Sequence, residues 1–164
     1  MSHDAWLARS SVSSELLFEM FAELHPPIDH GDTPNGHRFA IIVGGGRFSG
    51  PKLEGTVVTH SGGDWGRLRP DGTLALDVRL TLRTHDGAHI FMTYGGRLVA
   101  QPELLAQVLA YAQPTGPDPE SYYFRTNPLF ETGDPRYAWL NGVVAVGYGK
   151  TGDGGVTYRV FAIT

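Results

Sequence analysis

The residues best suited to chemistry in this sequence are a carboxylate beside an indole, two arginines among apolar neighbours, and an aromatic stretch carrying one amide. In Gly62-Gly63-Asp64-Trp65, two glycines permit tight backbone ahead of an acid and a large ring. A carboxyl held against an indole is partly desolvated. Its pKa rises, which suits proton transfer near neutral pH. Asp64 is therefore the candidate acid/base and Trp65 a candidate wall, although the pair would also serve as turn cap and core filler. Arg79 and Arg125 sit on predicted strands, flanked by apolar or aromatic residues. An arginine inside a barrel needs a carboxylate, and Asp64 and Glu131 are the candidates. Such a pair could orient a carbonyl or stabilise a developing oxyanion. A structural ion pair or a solvated outer face are the other readings. In Tyr137-Ala138-Trp139-Leu140-Asn141, period two places Tyr137, Trp139 and Asn141 on one face. A core face seldom includes an unpartnered amide, whereas aromatic walls with one polar anchor describe a ligand pocket. Tyr123 completes the expected wall. Asn141 would otherwise satisfy backbone at a bulge beside Gly142.

Other chemistries find no support. With no cysteine, disulfides, thiolate catalysis and zinc–sulfur sites are excluded. The seven histidines show no metal-ligand spacing on a helix, and no metal or cofactor is expected. Gly44-Gly45-Gly46 lacks the strand-then-helix context of a dinucleotide loop and reads as a turn or bulge. No Gly-x-Ser-x-Gly elbow occurs. The net charge of -4, with basic residues scattered, argues against nucleic acid as a partner. No apolar run approaches the roughly 20 residues of a membrane span. The N-terminus lacks the pattern of a secretory signal, which points to the cytoplasm.

The elements that must position these residues are short strands. The 164 residues include 22 Gly and 11 Pro, while aromatics make up 11%. That combination fits frequent turns between strands better than disorder. Turn signals include Pro34-Asn35-Gly36, Pro70-Asp71-Gly72, Asp86-Gly87, Gly95-Gly96 and Gly152-Asp153-Gly154-Gly155. Strands are predicted over 16–24, 38–43, 52–60, 74–84, 89–94, 121–126, 137–148 and 156–163, and one helix over 102–113. The expected architecture is mainly β: a single small closed antiparallel barrel with one short helix, spanning 15–164 after a flexible segment over 1–14. A two-sheet sandwich is the alternative. A homodimer is expected, since symmetric dimers are the commonest soluble oligomers.

The order of several blocks carries a resemblance. They run from Gly31-Asp32-Thr33-Pro34-Asn35-Gly36-His37-Arg38 through Gly44-Gly45-Gly46-Arg47-Phe48-Ser49-Gly50-Pro51 and Gly62-Gly63-Asp64-Trp65. Arg69-Pro70-Asp71-Gly72-Thr73, Tyr122-Tyr123-Phe124-Arg125-Thr126 and Tyr137-Ala138-Trp139-Leu140-Asn141 follow. Together they resemble the domain-of-unknown-function family 3237, a family of small β-barrels, over nearly the whole chain after Ser14. The resemblance implies a compact barrel with an internal pocket. Where an activity has been proposed in that family, it is cofactor-free ring closure in which a hydroxyl adds across an alkene.

Two functions follow as expectations. The first is a cofactor-independent acid/base enzyme of cyclase, isomerase or lyase type, acting on a small apolar or aromatic metabolite. Asp64 is its acid/base, with Arg125 and Arg79 as oxygen anchors. Trp65, Tyr123, Glu131, Tyr137, Trp139 and Asn141 contact the substrate. The second is a small-molecule-binding barrel without chemistry.

Overall fold

The computed structural model describes residues 2–8 and 11–164. The segment expected to be flexible, 1–14, lies partly outside them; within it His3–Leu7 forms a short helix, α1. The strands are β1 (Ser14–Leu24), β2 (Ile28–Thr33), β3 (Gly36–Ser49), β4 (Glu54–Val57), β5 (Gly63–Asp64), β6 (Arg67–Leu68), β7 (Leu74–Thr84) and β8 (His89–Val99). Helix α2 (Pro102–Leu109) then precedes β9 (Tyr123–Thr126), β10 (Leu129–Glu131), β11 (Ala145–Gly152) and β12 (Gly155–Ile163).

Eight strands close into an antiparallel barrel, in the order β7-β8-β9-β11-β12-β1-β3-β4 and back to β7. The expected barrel is therefore the observed one. Alternation along each strand decides what enters it. In β7, Leu76, Val78, Leu80 and Leu82 are buried while Asp77, Arg79 and Arg83 are exposed. In β12, Val156, Tyr158, Val160 and Ala162 point inward.

Three local expectations are corrected. The Gly95-Gly96 pair does not turn the chain, and β8 runs through it to Val99. The stretch over 137–148 is not one strand: Ala138–Gly142 is a 3-10 helix, and β11 begins only at Ala145. Helix α2 stops at Leu109 rather than continuing to residue 113.

The barrel interior is divided. One end is filled by Phe18, Phe48, Leu80, Met92 and Phe130, with Phe18 against Phe48 at 5.4 Å and against Phe130 at 6.0 Å between ring centres. The other end is capped by the segment around α2. Pro102 opens this helix, where its missing N–H costs nothing. Its buried face, Leu105 and Val108, turns onto the barrel. The following residues are tied down by backbone. The Tyr111 hydroxyl donates to the His25 carbonyl (2.8 Å), and Gly154 N–H donates to the Tyr111 carbonyl (2.9 Å). Among the described residues no helix is long and apolar enough to cross a membrane.

Candidate active site

Between the packed end and α2 lies a cavity of about 50 Å³. Eight-stranded barrels enclose just enough space to be filled by side chains or to hold one small ligand. This one does each at a different end. The walls are mostly aliphatic, from Ala22 and Leu24 to Val108 and Leu109. The aromatic lining is Tyr94, Tyr111, Phe124 and Tyr158, and the polar lining is Asp64 and Thr151.

Asp64 reaches the cavity because β5 is wedged between β3 and β7, with Asp64 opposite Ile41 on one side and Val78 on the other. That wedge requires the two glycines before it. A Cβ on Gly62 would lie 1.8 Å from the Arg79 carbonyl oxygen, and one on Gly63 would lie 2.4 Å from that of Ile41. Both distances are far inside contact, so a side chain at either position would push the segment outward. The Asp77 N–H donates to Asp64 Oδ1 at 2.9 Å, and the Trp65 N–H donates to the Asp77 carbonyl at 2.9 Å. Burial pushes the Asp64 carboxyl up to about 6, against the pull of the Asp77 N–H and with a smaller push from the Asp77 carboxylate.

Tyr94 and Tyr158 meet edge to face at 5.6 Å between ring centres, and Phe124 meets Tyr158 the same way at 5.4 Å. The two tyrosine hydroxyls are paired, and burial raises both above the usual phenol range. They stay protonated at any physiological pH. Gly149 makes room for this cluster: a Cβ there would lie 2.7 Å from the Phe124 ring and 2.8 Å from the Tyr158 ring.

Of the nine residues singled out from sequence, Asp64 alone lines this cavity. The others lie away from it, all but the buried Tyr137 on the outer surface. Arg79 projects outward from β7, pairs with Asp77 at 2.9 Å, and places its guanidinium 6.0 Å from the Trp65 ring, which is 39% exposed. Arg125 and Tyr123 take the outward parity of β9, because Phe124 and Thr126 take the inward one. The Arg125 guanidinium lies 3.6 Å from the Tyr148 ring centre and 5.1 Å from that of Tyr123. Neither arginine pairs with Asp64 or Glu131, so the buried ion pair expected from sequence does not form. Glu131 and Asn141 share a shallow surface hollow with Phe91. Asn141 is spent on backbone: its Oδ1 accepts from Thr132 N–H (2.8 Å) and its Nδ2 donates to the Thr132 carbonyl (3.0 Å). Tyr137 is buried with its hydroxyl donating to Asp86 (3.1 Å), while Trp139 is exposed under the Lys52 ammonium at 5.5 Å. The helical turn over Ala138–Gly142 breaks the period-two face that would have joined them.

The cavity residues missed from sequence are Tyr94, Tyr111, Phe124 and Tyr158. Tyr94 and Tyr158 carried a readable signal, each standing at inward parity between aliphatic neighbours: Met92 before Tyr94, and Val156 and Val160 around Tyr158. His37, near the barrel rim, has both ring nitrogens engaged, by Asp32 and Asp29 at 2.9 Å each. Among the described residues, no three His, Asp or Glu side chains converge as a metal centre would require.

Comparison with known proteins agrees with this fold. A UPF0311 protein of Rhodopseudomonas palustris (strain TIE-1) is 32% identical over 130 residues, covering 79% of this chain and 82% of its own. The crystal structure of a conserved protein of unknown function from Rhodopseudomonas palustris superposes with a TM-score of 0.88 at 28% identity, covering 95% of this chain and all of that one. An enzyme from Penicillium herquei shares the fold with a TM-score of 0.67 at 23% identity, covering 96% of this chain and 98% of its own. The family model described as protein of unknown function (DUF3237) matches residues 12–163. With the family model matched along nearly its whole length and the fold shared with these structures, the chain belongs to the DUF3237 family.

Proposed function

We propose that the cavity under α2 is an active site and that the protein is a cofactor-independent acid/base enzyme of cyclase, isomerase or lyase type, acting on a small apolar or aromatic molecule. The observation that carries this reading is Asp64, a carboxyl in an otherwise apolar wall that titrates at about 6. Near neutral pH it exchanges protons with little driving force in either direction, which is what general acid–base catalysis asks of a group. The paired hydroxyls of Tyr94 and Tyr158 add a donor that never ionises, suited to an oxygen that gains charge. Aliphatic walls exclude water and hold the rest of the substrate. The Penicillium herquei enzyme of the same fold is in keeping with this reading, though at 23% identity the likeness concerns the fold alone.

An assay needs no prior substrate. Small enolisable ketones in D2O, followed by NMR, report proton exchange at carbon. The wild-type protein should accelerate exchange. Asp64→Asn should lower the rate by about 10²–10⁴-fold in a protein that stays fully folded at the assay temperature. Equal rates in both proteins would refute the assignment. Binding without turnover is the second reading, favoured by the commitment of Asp64 Oδ1 to the Asp77 N–H. A homodimer remains part of the proposal, with Leu129, Val144, Val146 and Ile163 exposed on the outer wall. Light scattering across a concentration series tests it.

A further inference from the structure

We infer that the ligand of this cavity is a cation: a small, otherwise apolar amine whose ammonium group pairs with the Asp64 carboxylate. The inference rests on the cavity being the site proposed above, and adds the charge of what it binds.

Charge balance is the first argument. Among the described residues lining the cavity, Asp64 is the sole ionisable group of acidic or basic type apart from tyrosines. None of the described lysines, arginines or histidines lines the walls. The charged group acting on Asp64 is the Asp77 carboxylate, which has the same sign. The Asp64 carboxylate thus stands in an apolar wall without a counterion. Its Oδ1 is taken by the Asp77 N–H, and among the described residues no donor reaches its Oδ2. An ion left unpaired in such a wall is costly, and a ligand that brings the opposite charge removes the cost. The raised titration point of Asp64 is a symptom of the same imbalance.

The lining itself is the second argument. Tyr94, Tyr111, Phe124 and Tyr158 line the same cavity, and the Asp64 charge acts on Tyr94 and Tyr158. The faces of aromatic rings carry negative potential and attract cations, most strongly where water is excluded. A carboxylate that shares a cavity with aromatic rings is complementary to an ammonium on both counts. Carboxylates and phosphates find the reverse: no cation to meet them and one like charge against them. A neutral alcohol could hydrogen-bond to Asp64 but would leave its charge uncompensated. The aliphatic lining, Leu24, Val43 and Val108 among it, suits a short hydrocarbon chain, and about 50 Å³ of interior space limits its size.

The experiment titrates the full-length protein with butylamine, 1-butanol and butyrate, three ligands of nearly equal shape, followed by tyrosine fluorescence and NMR shifts. Butylamine should bind at least about tenfold more tightly than 1-butanol, and butyrate not at all. Affinity for butylamine should hold from pH 6.5 to 8.5 and fall about tenfold per pH unit below 6, as Asp64 takes up its proton. Asp64→Asn should abolish the preference for the amine while leaving any binding of 1-butanol. Should that variant not fold, the pH profile of the wild-type protein decides. If 1-butanol binds as tightly as butylamine and Asp64→Asn weakens both, the inference is overturned while the cavity remains the site. If no ligand shifts the Tyr94 and Tyr158 resonances, or if binding ignores Asp64→Asn altogether, the inference and the reading of the cavity as the site both fall.

Discussion

Asp64 should make the folded protein less stable at neutral pH than its amide equivalent. The carboxyl titrates at about 6 when folded and near the ordinary 3.8 when unfolded. Between those values the folded state holds the proton more tightly than the unfolded chain. Stability therefore falls as pH rises through that window, and the loss is complete above about 6. At about 1.36 kcal/mol per pH unit the gap corresponds to roughly 3 kcal/mol, and water entering through the mouth reduces the expected value to about 1–3 kcal/mol. Asp64→Asn keeps an oxygen to accept from the Asp77 N–H and removes the charge. At pH 7.5 it should raise the melting temperature by about 2–10 °C, and by pH 4 most of that difference should have vanished. Other groups titrate in the same range, so the quantity to measure is the difference between wild type and variant across pH 4–8. A variant less stable than wild type at pH 7.5, with a difference that does not vanish on acidification, would refute the reasoning. The carboxylate would then be stabilised by a partner, not strained by burial.

Three further outcomes follow from particular contacts. Gly149→Ala should cost about 1–3 kcal/mol in denaturant unfolding and shift the aromatic resonances of Phe124 and Tyr158, whose rings occupy the space of the new methyl group. Asn141→Ala should lower stability by about 1–2 kcal/mol through its two lost bonds to Thr132, with no change in ligand affinity, since its side chain does not line the cavity. His37, raised by its bond to Asp32 and its proximity to Asp29, contributes stability below its unfolded titration point of 6.5, and this is lost as pH rises through its higher folded value. His37→Gln should accordingly speed amide exchange in β2 and its partner strand at pH 6 and leave it unchanged at pH 9.

The barrel was legible in the sequence because its strands declare themselves twice, through alternation and through turns. Leu74–Thr84 and its Asp86-Gly87 turn are a clean example, with the turn glycine at a φ of 92°. Gly95-Gly96 misled because glycine also serves where neighbouring backbone crowds a strand: a Cβ on Gly96 would lie 2.7 Å from the Arg125 carbonyl oxygen. Asp64 was legible because its glycines and indole mark an unusual backbone. Its former companions were not, because parity depends on register, and one turn of 3-10 helix in 138–142 undoes any face read through it. Arg79 and Arg125 followed the commonest fate of charged strand residues, the solvent side. The cavity tyrosines were hidden by their ordinariness: an inward tyrosine on a strand reads as core until the space beside it is seen to be empty.

The division of the interior has an evolutionary consequence. Strands β1, β3, β7 and β8 each place a residue in the packed end (Phe18, Phe48, Leu80 and Met92) and others along the cavity. The packed part fixes register for the whole strand. Residues at the hollow end, such as Leu76, Val108 or Tyr158, can therefore be exchanged without a slip in pairing to undo the exchange. Relatives descended from one barrel could diverge in what they accommodate while keeping the same framework, and the substitutions responsible would cluster at the barrel end that α2 caps.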